Sequence, residues 1–146
     1  MSQKKKAKYR KSRARVLYPY RTINYYKRKE LWFPAFTNSV TYFEHFGYWA
    51  IKAHCSRNNI ELTQKAKDSL KNLQAGNIAL VLRILDLIDN ETYSDMKKII
   101  EERNKLVHPG RRGITYRERK RKDRAERLLN QAKQSIKEIR KTIRAT

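Results

Sequence analysis

Acidic residues are scarce in this chain. Only 14 Asp and Glu stand against 36 Lys and Arg in 146 residues, a formal net charge of +22. Such a chain repels itself and collects polyanions, so nucleic acid is the partner its charge implies. Cysteine is almost missing: Cys55 is single, which excludes an internal disulfide and fits a reducing cytoplasm. Together with His45, His54 and His108 it shows no zinc-ligand spacing, so neither a structural metal nor a cofactor is expected. Long apolar runs are absent, and no stretch reaches transmembrane length. No lipidation signal or amphipathic anchor points to a membrane partner. The basic N-terminus is not followed by an apolar h-region, so no signal peptide is expected and a cytoplasmic location is. No segment alternates as a β-strand does, and no repeat is apparent.

What remains is helical pattern, and the fold class expected is all-α. At this length the chain should form one domain with a modest core. Residues 1–36 read as a basic arm. Lys4, Lys5, Lys6, Lys8, Arg10, Lys11, Arg13 and Arg15 come nearly unbroken. Aromatics then interleave with Arg21, Lys27, Arg28 and Lys29, and Pro19 and Pro34 are expected to break any helix. Such an arm neutralises phosphates, and its Tyr and Trp rings offer stacking faces to unpaired bases.

Residues 37–146 read as a helical bundle. A first helix is expected from Thr37 to Ser56, with two apolar faces that suggest contact on both sides. A second runs from Thr63, its cap, to Gln74, and Ala75-Gly76-Asn77 ends it. A third, Ile78 to Ile88, is apolar almost all round and should be the central helix. The last runs from about Tyr116 to Ile143 on a stripe of Ala125, Leu128, Leu129, Ala132, Ile136, Ile139 and Ile143. Its first turns carry Arg117, Arg119, Lys120 and Arg121, next to a basic loop with Arg111 and Arg112. These residues read as an RNA-facing surface.

The stretch around which the rest is organised is SDMKKIIEERNKLVHPG, Ser94 to Gly110. Ser94 is a suitable N-cap and Pro109-Gly110 a hard stop, which predicts one helix. Met96, Ile99, Ile100 and Val107 form an apolar stripe with Arg103 in its middle, where a Leu is expected. Asn104 and His108 are helical neighbours. A guanidinium in an apolar seam costs several kcal/mol unless an anion or a partner satisfies it. Asp86 is one candidate to orient Arg103 or His108.

Arg103, Asn104 and His108 resemble the R-x(4–6)-H signature of the HEPN superfamily in its R-N-x-x-x-H form. The resemblance covers roughly residues 37–143, with an apolar helix before the motif and a long one after it. It implies a HEPN-like bundle of four or five helices that acts as a homodimer. It also implies metal-independent endonucleolytic cleavage of RNA to 2′,3′-cyclic phosphate ends. His108 then serves as base or acid, Arg103 clamps the phosphate and Asn104 orients the imidazole. Arg103 and His108 point about 140° apart on an ideal helix, which two copies across a two-fold axis would reconcile.

Two further readings stand beside this one. In the first, the bundle is a non-catalytic scaffold whose arm anchors it to structured RNA, the ribosome included. In the second, the resemblance implies a module paired with a nucleotidyltransferase-type antitoxin. The intact motif favours cleavage, and the excess of charge favours binding.

Overall fold

The computed structural model describes residues 18–107 and 119–144. Within them the chain is an all-α bundle of six helices. They are α1 (Pro19–Arg28), α2 (Trp32–Arg57), α3 (Gln64–Lys71), α4 (Ala75–Ile84), α5 (Asn90–Val107) and α6 (Arg119–Arg144). No described helix is long and apolar enough to cross a membrane.

The two prolines expected to break helices start them instead. Pro19 is the first residue of α1 and Pro34 lies in the first turn of α2. There the missing N–H would have had no intrahelical partner, and the fixed φ already suits a helix. The bundle therefore begins well before residue 37. Ile23 of α1 and Ala35 and Phe36 of α2 are fully buried, so the segment 19–36 contributes side chains to the core.

Helix ends in a glycine-poor chain need other residues in the left-handed region. Glu30, Asn59 and Asp86 take it, with φ of 56°, 57° and 58°. Each is followed by the six-to-one bond that closes a Schellman motif: Leu31 to Tyr26, Ile60 to Cys55 and Leu87 to Leu82. These reversals are tight, and they set α1 against α2, and α4 against α5.

The central element is α2, which packs against α1, α4, α5 and α6. Its two apolar faces both pack within the chain over much of their length, while Trp49 on the second stays exposed. Phe36, Val40 and Phe43 are fully buried, and Tyr42 stacks on Phe46 at 6.2 Å on the other side. The expected central helix, now α4, is peripheral. Ile78, Ala79 and Leu82 face the core, while Leu80 and Ile84 are exposed. Ala75-Gly76-Asn77 opens α4 rather than closing the helix before it. The short α3 buries none of its residues fully, and Thr63 caps it as expected, accepting from the Ala66 N–H at 3.1 Å. On α6, Ala125, Leu128, Leu129, Ala132, Ile136 and Ile139 are all buried and Ile143 partly so, as the stripe predicts.

Candidate nucleic-acid interface

The motif helix, α5, starts four residues before Ser94. Asp89 caps it: its carboxylate accepts from the Thr92 N–H at 2.8 Å and its carbonyl from the Tyr93 N–H. The Thr92 bond holds the Asp89 carboxyl below the usual range. Asp86 is not the partner of Arg103. It pairs with Arg83 at 3.0 Å, and its side chain is 89% exposed.

Towards its C-terminus the buried face of α5 turns by one residue from the expected stripe. Leu106 is buried and Val107 is exposed. The charge that enters the core is Glu102, only 6% exposed, and its Oε2 accepts from Arg124 at 3.0 Å. Arg103, expected in the middle of the seam, is half-buried on its flank. Its Nε donates to Asn104 Oδ1 at 2.9 Å, and Glu44 of α2 lies within its field. Burial raises the Glu44 carboxyl, and Arg103 partly pulls it back. The structure thus gathers Arg103, Asn104 and Glu44. Sequence reasoning missed Glu44, because nothing on α2 marks it before the crossing with α5 is known. His108 lies outside the described residues.

Of the expected RNA contacts, Lys4 to Arg15, Arg111, Arg112 and Arg117 also lie outside the described residues. Arg119, Lys120 and Arg121 open α6, and the last two are exposed. Arg21, Lys27 and Arg28 are on α1, and Lys29 is its C-cap residue. Being helical, α1 places Arg21, Lys27 and Arg28 on one hollow with Asn24 and Tyr25. A second, open hollow of about 910 Å³ adjoins it through Asn24, and its cations are Lys133, Lys137, Arg140, Lys141 and Arg144 of α6.

These α6 residues were missed, though a signal was present. Positions 133, 137, 140 or 141, and 144 recur at intervals of three or four, on the flank of α6 beside its apolar stripe. The arm reading hid this, because the facing helix was not expected.

The two helices are laced by a pair of crossed bonds. Lys27 Nζ donates to Asn130 Oδ1 at 3.1 Å, and Lys133 Nζ donates to Asn24 Oδ1 at 2.8 Å. Burial pushes the Lys133 ammonium down from its ordinary value, and Lys27 adds to the effect. Two turns along α6, Arg140 lies over the rings of Tyr20 (5.7 Å) and Phe46 (5.1 Å). A guanidinium held between two rings keeps its edge available for hydrogen bonds. Among the described residues lining the two hollows there is no carboxylate. The nearby Glu138 accepts from Lys141 at 3.0 Å. Such an arrangement attracts anions and offers them many donors.

Among the described residues no group of three His, Cys, Asp or Glu side chains gathers as a metal site needs. No protein-family model, curated protein or solved structure matches the chain.

Proposed function

We propose that this protein is a cytoplasmic RNA-binding protein built on a HEPN-like helical bundle, with the α1–α6 face as its folded contact surface. The observation that carries this reading is the convergence of cations from two helices on hollows lined by no acidic residue, in a chain of net charge +22. A face that only kept the protein soluble would intersperse the two signs. The basic residues before Tyr18 add phosphate contacts to the same partner. The test is titration of RNA at several salt concentrations. With 6–10 phosphates neutralised, affinity should fall by roughly 10³–10⁵ between 50 and 200 mM salt. A salt-independent affinity, or none at 50 mM, would refute the reading.

One observation favours a second reading, RNA cleavage by a HEPN-type dimer without metal. The half-buried Arg103 faces a carboxyl whose ionisation is disfavoured by burial, and such perturbed groups cluster at reactive sites. In this reading Arg103 binds the scissile phosphate and His108 moves the proton. The protein should then cut single-stranded RNA in EDTA, and His108→Ala should abolish the cut while leaving binding intact. Wild-type protein that binds RNA and leaves it whole would remove cleavage and keep the binder.

A further inference from the structure

The α1–α6 seam contains a feature more specific than positive charge. Lys27 and Lys133 sit on facing helices, each resting on an asparagine of the opposite helix. An amide oxygen solvates an ammonium but does not neutralise it. Each lysine keeps two more N–H donors. Burial is the main cause of the downward shift of Lys133, and the Lys27 charge beside it, with no carboxylate between the two, adds an unfavourable repulsion in the free protein. An anion seated between them would remove that repulsion. The asparagines fix the spacing beforehand, so little side-chain freedom is lost when the anion arrives.

The surroundings say which anion. Tyr25 borders the Lys27 side of the seam and is 49% exposed. It is braced by an edge contact with Tyr26 at 5.5 Å and 70°. A free phosphate has no use for an exposed ring, whereas a nucleotide does. A duplex hides its base faces in the stack, and only unpaired nucleotides present them. On the far side of the seam, the ring-held guanidinium of Arg140 lies seven residues beyond Lys133, about 10 Å along the helix axis. That spacing gives a strand a second anchor.

We propose that the α1–α6 seam is a clamp for single-stranded RNA, in which one backbone phosphate bridges Lys27 and Lys133 and an adjacent base stacks on Tyr25. This rests on the RNA-binding reading and narrows it to a strand type and a set of contacts. Asn24 and Asn130 are positioning residues that hold the two lysines at bridging distance.

The test compares a short single-stranded oligouridylate with a blunt RNA duplex of equal length, by fluorescence anisotropy with the full chain. Lys27→Gln/Lys133→Gln should weaken binding of the single strand about tenfold. It should also reduce the salt slope by about 0.7, the contribution of one single-strand phosphate. Tyr25→Ala should weaken the single strand at least about fivefold and leave the duplex unchanged. Lys65→Gln/Lys98→Gln removes the same charge from exposed positions on α3 and α5, and circular dichroism checks that every variant is folded.

Single-strand loss confined to the seam variants establishes the clamp. Equal loss in the Lys65/Lys98 control overturns it, as does loss of the same size on the duplex. Wild-type protein that binds neither probe sinks the RNA reading itself. Wild-type binding that the seam variants leave untouched sinks only the clamp.

Discussion

Gly47→Ala is the sharpest probe of how the bundle is assembled. Gly47 lies in the middle of α2, where it faces α4. A Cβ added there would lie well inside van der Waals contact with Ile78 Cγ2, 3.5 Å from Leu82 Cδ1 and 3.7 Å from Ile78 Cβ. Ile78 and Leu82 are both fully buried. The Ile78 methyl is bonded directly to Cβ, so it moves only if χ1 flips or the helix shifts. In a helix, Ile holds one χ1 rotamer roughly 90% of the time. The overlap must therefore be relieved by parting α2 from α4.

Two effects oppose each other in this variant. Replacing a mid-helix Gly by Ala stabilises by about 1 kcal/mol through propensity. Overpacking a close-packed core costs about 1–3 kcal/mol, and an overlap this deep belongs at the upper end. The net expectation is a destabilisation of about 1–2 kcal/mol. With a urea slope of about 1.5 kcal/mol/M, the unfolding midpoint should fall by about 1 M with the slope unchanged. Far-UV circular dichroism during urea titration reads this directly. Ile78→Ala is itself costly, but the methyl added at position 47 fills space that the truncation opens, so the double variant should cost less than the sum of the two single ones. A neutral or stabilised Gly47→Ala would mean that α2 and α4 do not approach as described.

Glu44→Gln should stabilise the protein at neutral pH. The folded pKa of Glu44 is raised above 4.5, so the favourable neutral form is complete below that value and is lost as pH rises through the folded pKa. The difference in melting temperature between variant and wild type should therefore widen from about pH 4 to pH 7, and a difference that stays flat would refute the burial of this carboxyl. Asp89→Ala should lower the melting temperature and Asp89→Asn should restore most of it, because either Asp or Asn caps α5 through its side-chain oxygen. The folded pKa of Asp89 is depressed, so its contribution is present above 3.8 and fades as pH falls through the folded value. The Asn variant should lose that pH dependence, and equal melting temperatures for the Ala and Asn variants would refute the cap.

Several parts of this architecture were legible in the sequence. The α6 stripe was readable because seven apolar positions recur at helical spacing with charge on every other face. The Thr63 cap was readable because its chemistry is local. Pro19 and Pro34 misled, since a proline's effect depends on whether it falls in the first turn or later, and the turn boundary is set by tertiary packing of Ile23 and Phe36. Asp89 lost to Ser94 as the expected cap for a similar reason. The apolar pattern begins at Met96, but the helix is extended by a loop whose hydrogen bonds fix it earlier. At the other end of α5, single-helix geometry placed Arg103 in the seam. The neighbour that sinks inward is Glu102, because Arg124 arrives from a helix 22 residues away to meet it. Pairs of this kind cannot be read from one helix. The Lys27–Asn130 and Asn24–Lys133 crossings belong to the same class.

Those crossings also bear on the order in which the molecule is completed. Their partners are 103 and 109 residues apart, so closing them is the costliest kind of contact for a folding chain. During synthesis α1 emerges first and α6 last. Until α6 has left the ribosome, Ile23 has only α2 to shelter it, and neither lysine has its asparagine. A nascent chain therefore carries the cations but not their geometry, and grips polyanions only loosely while still tethered to a particle made largely of RNA.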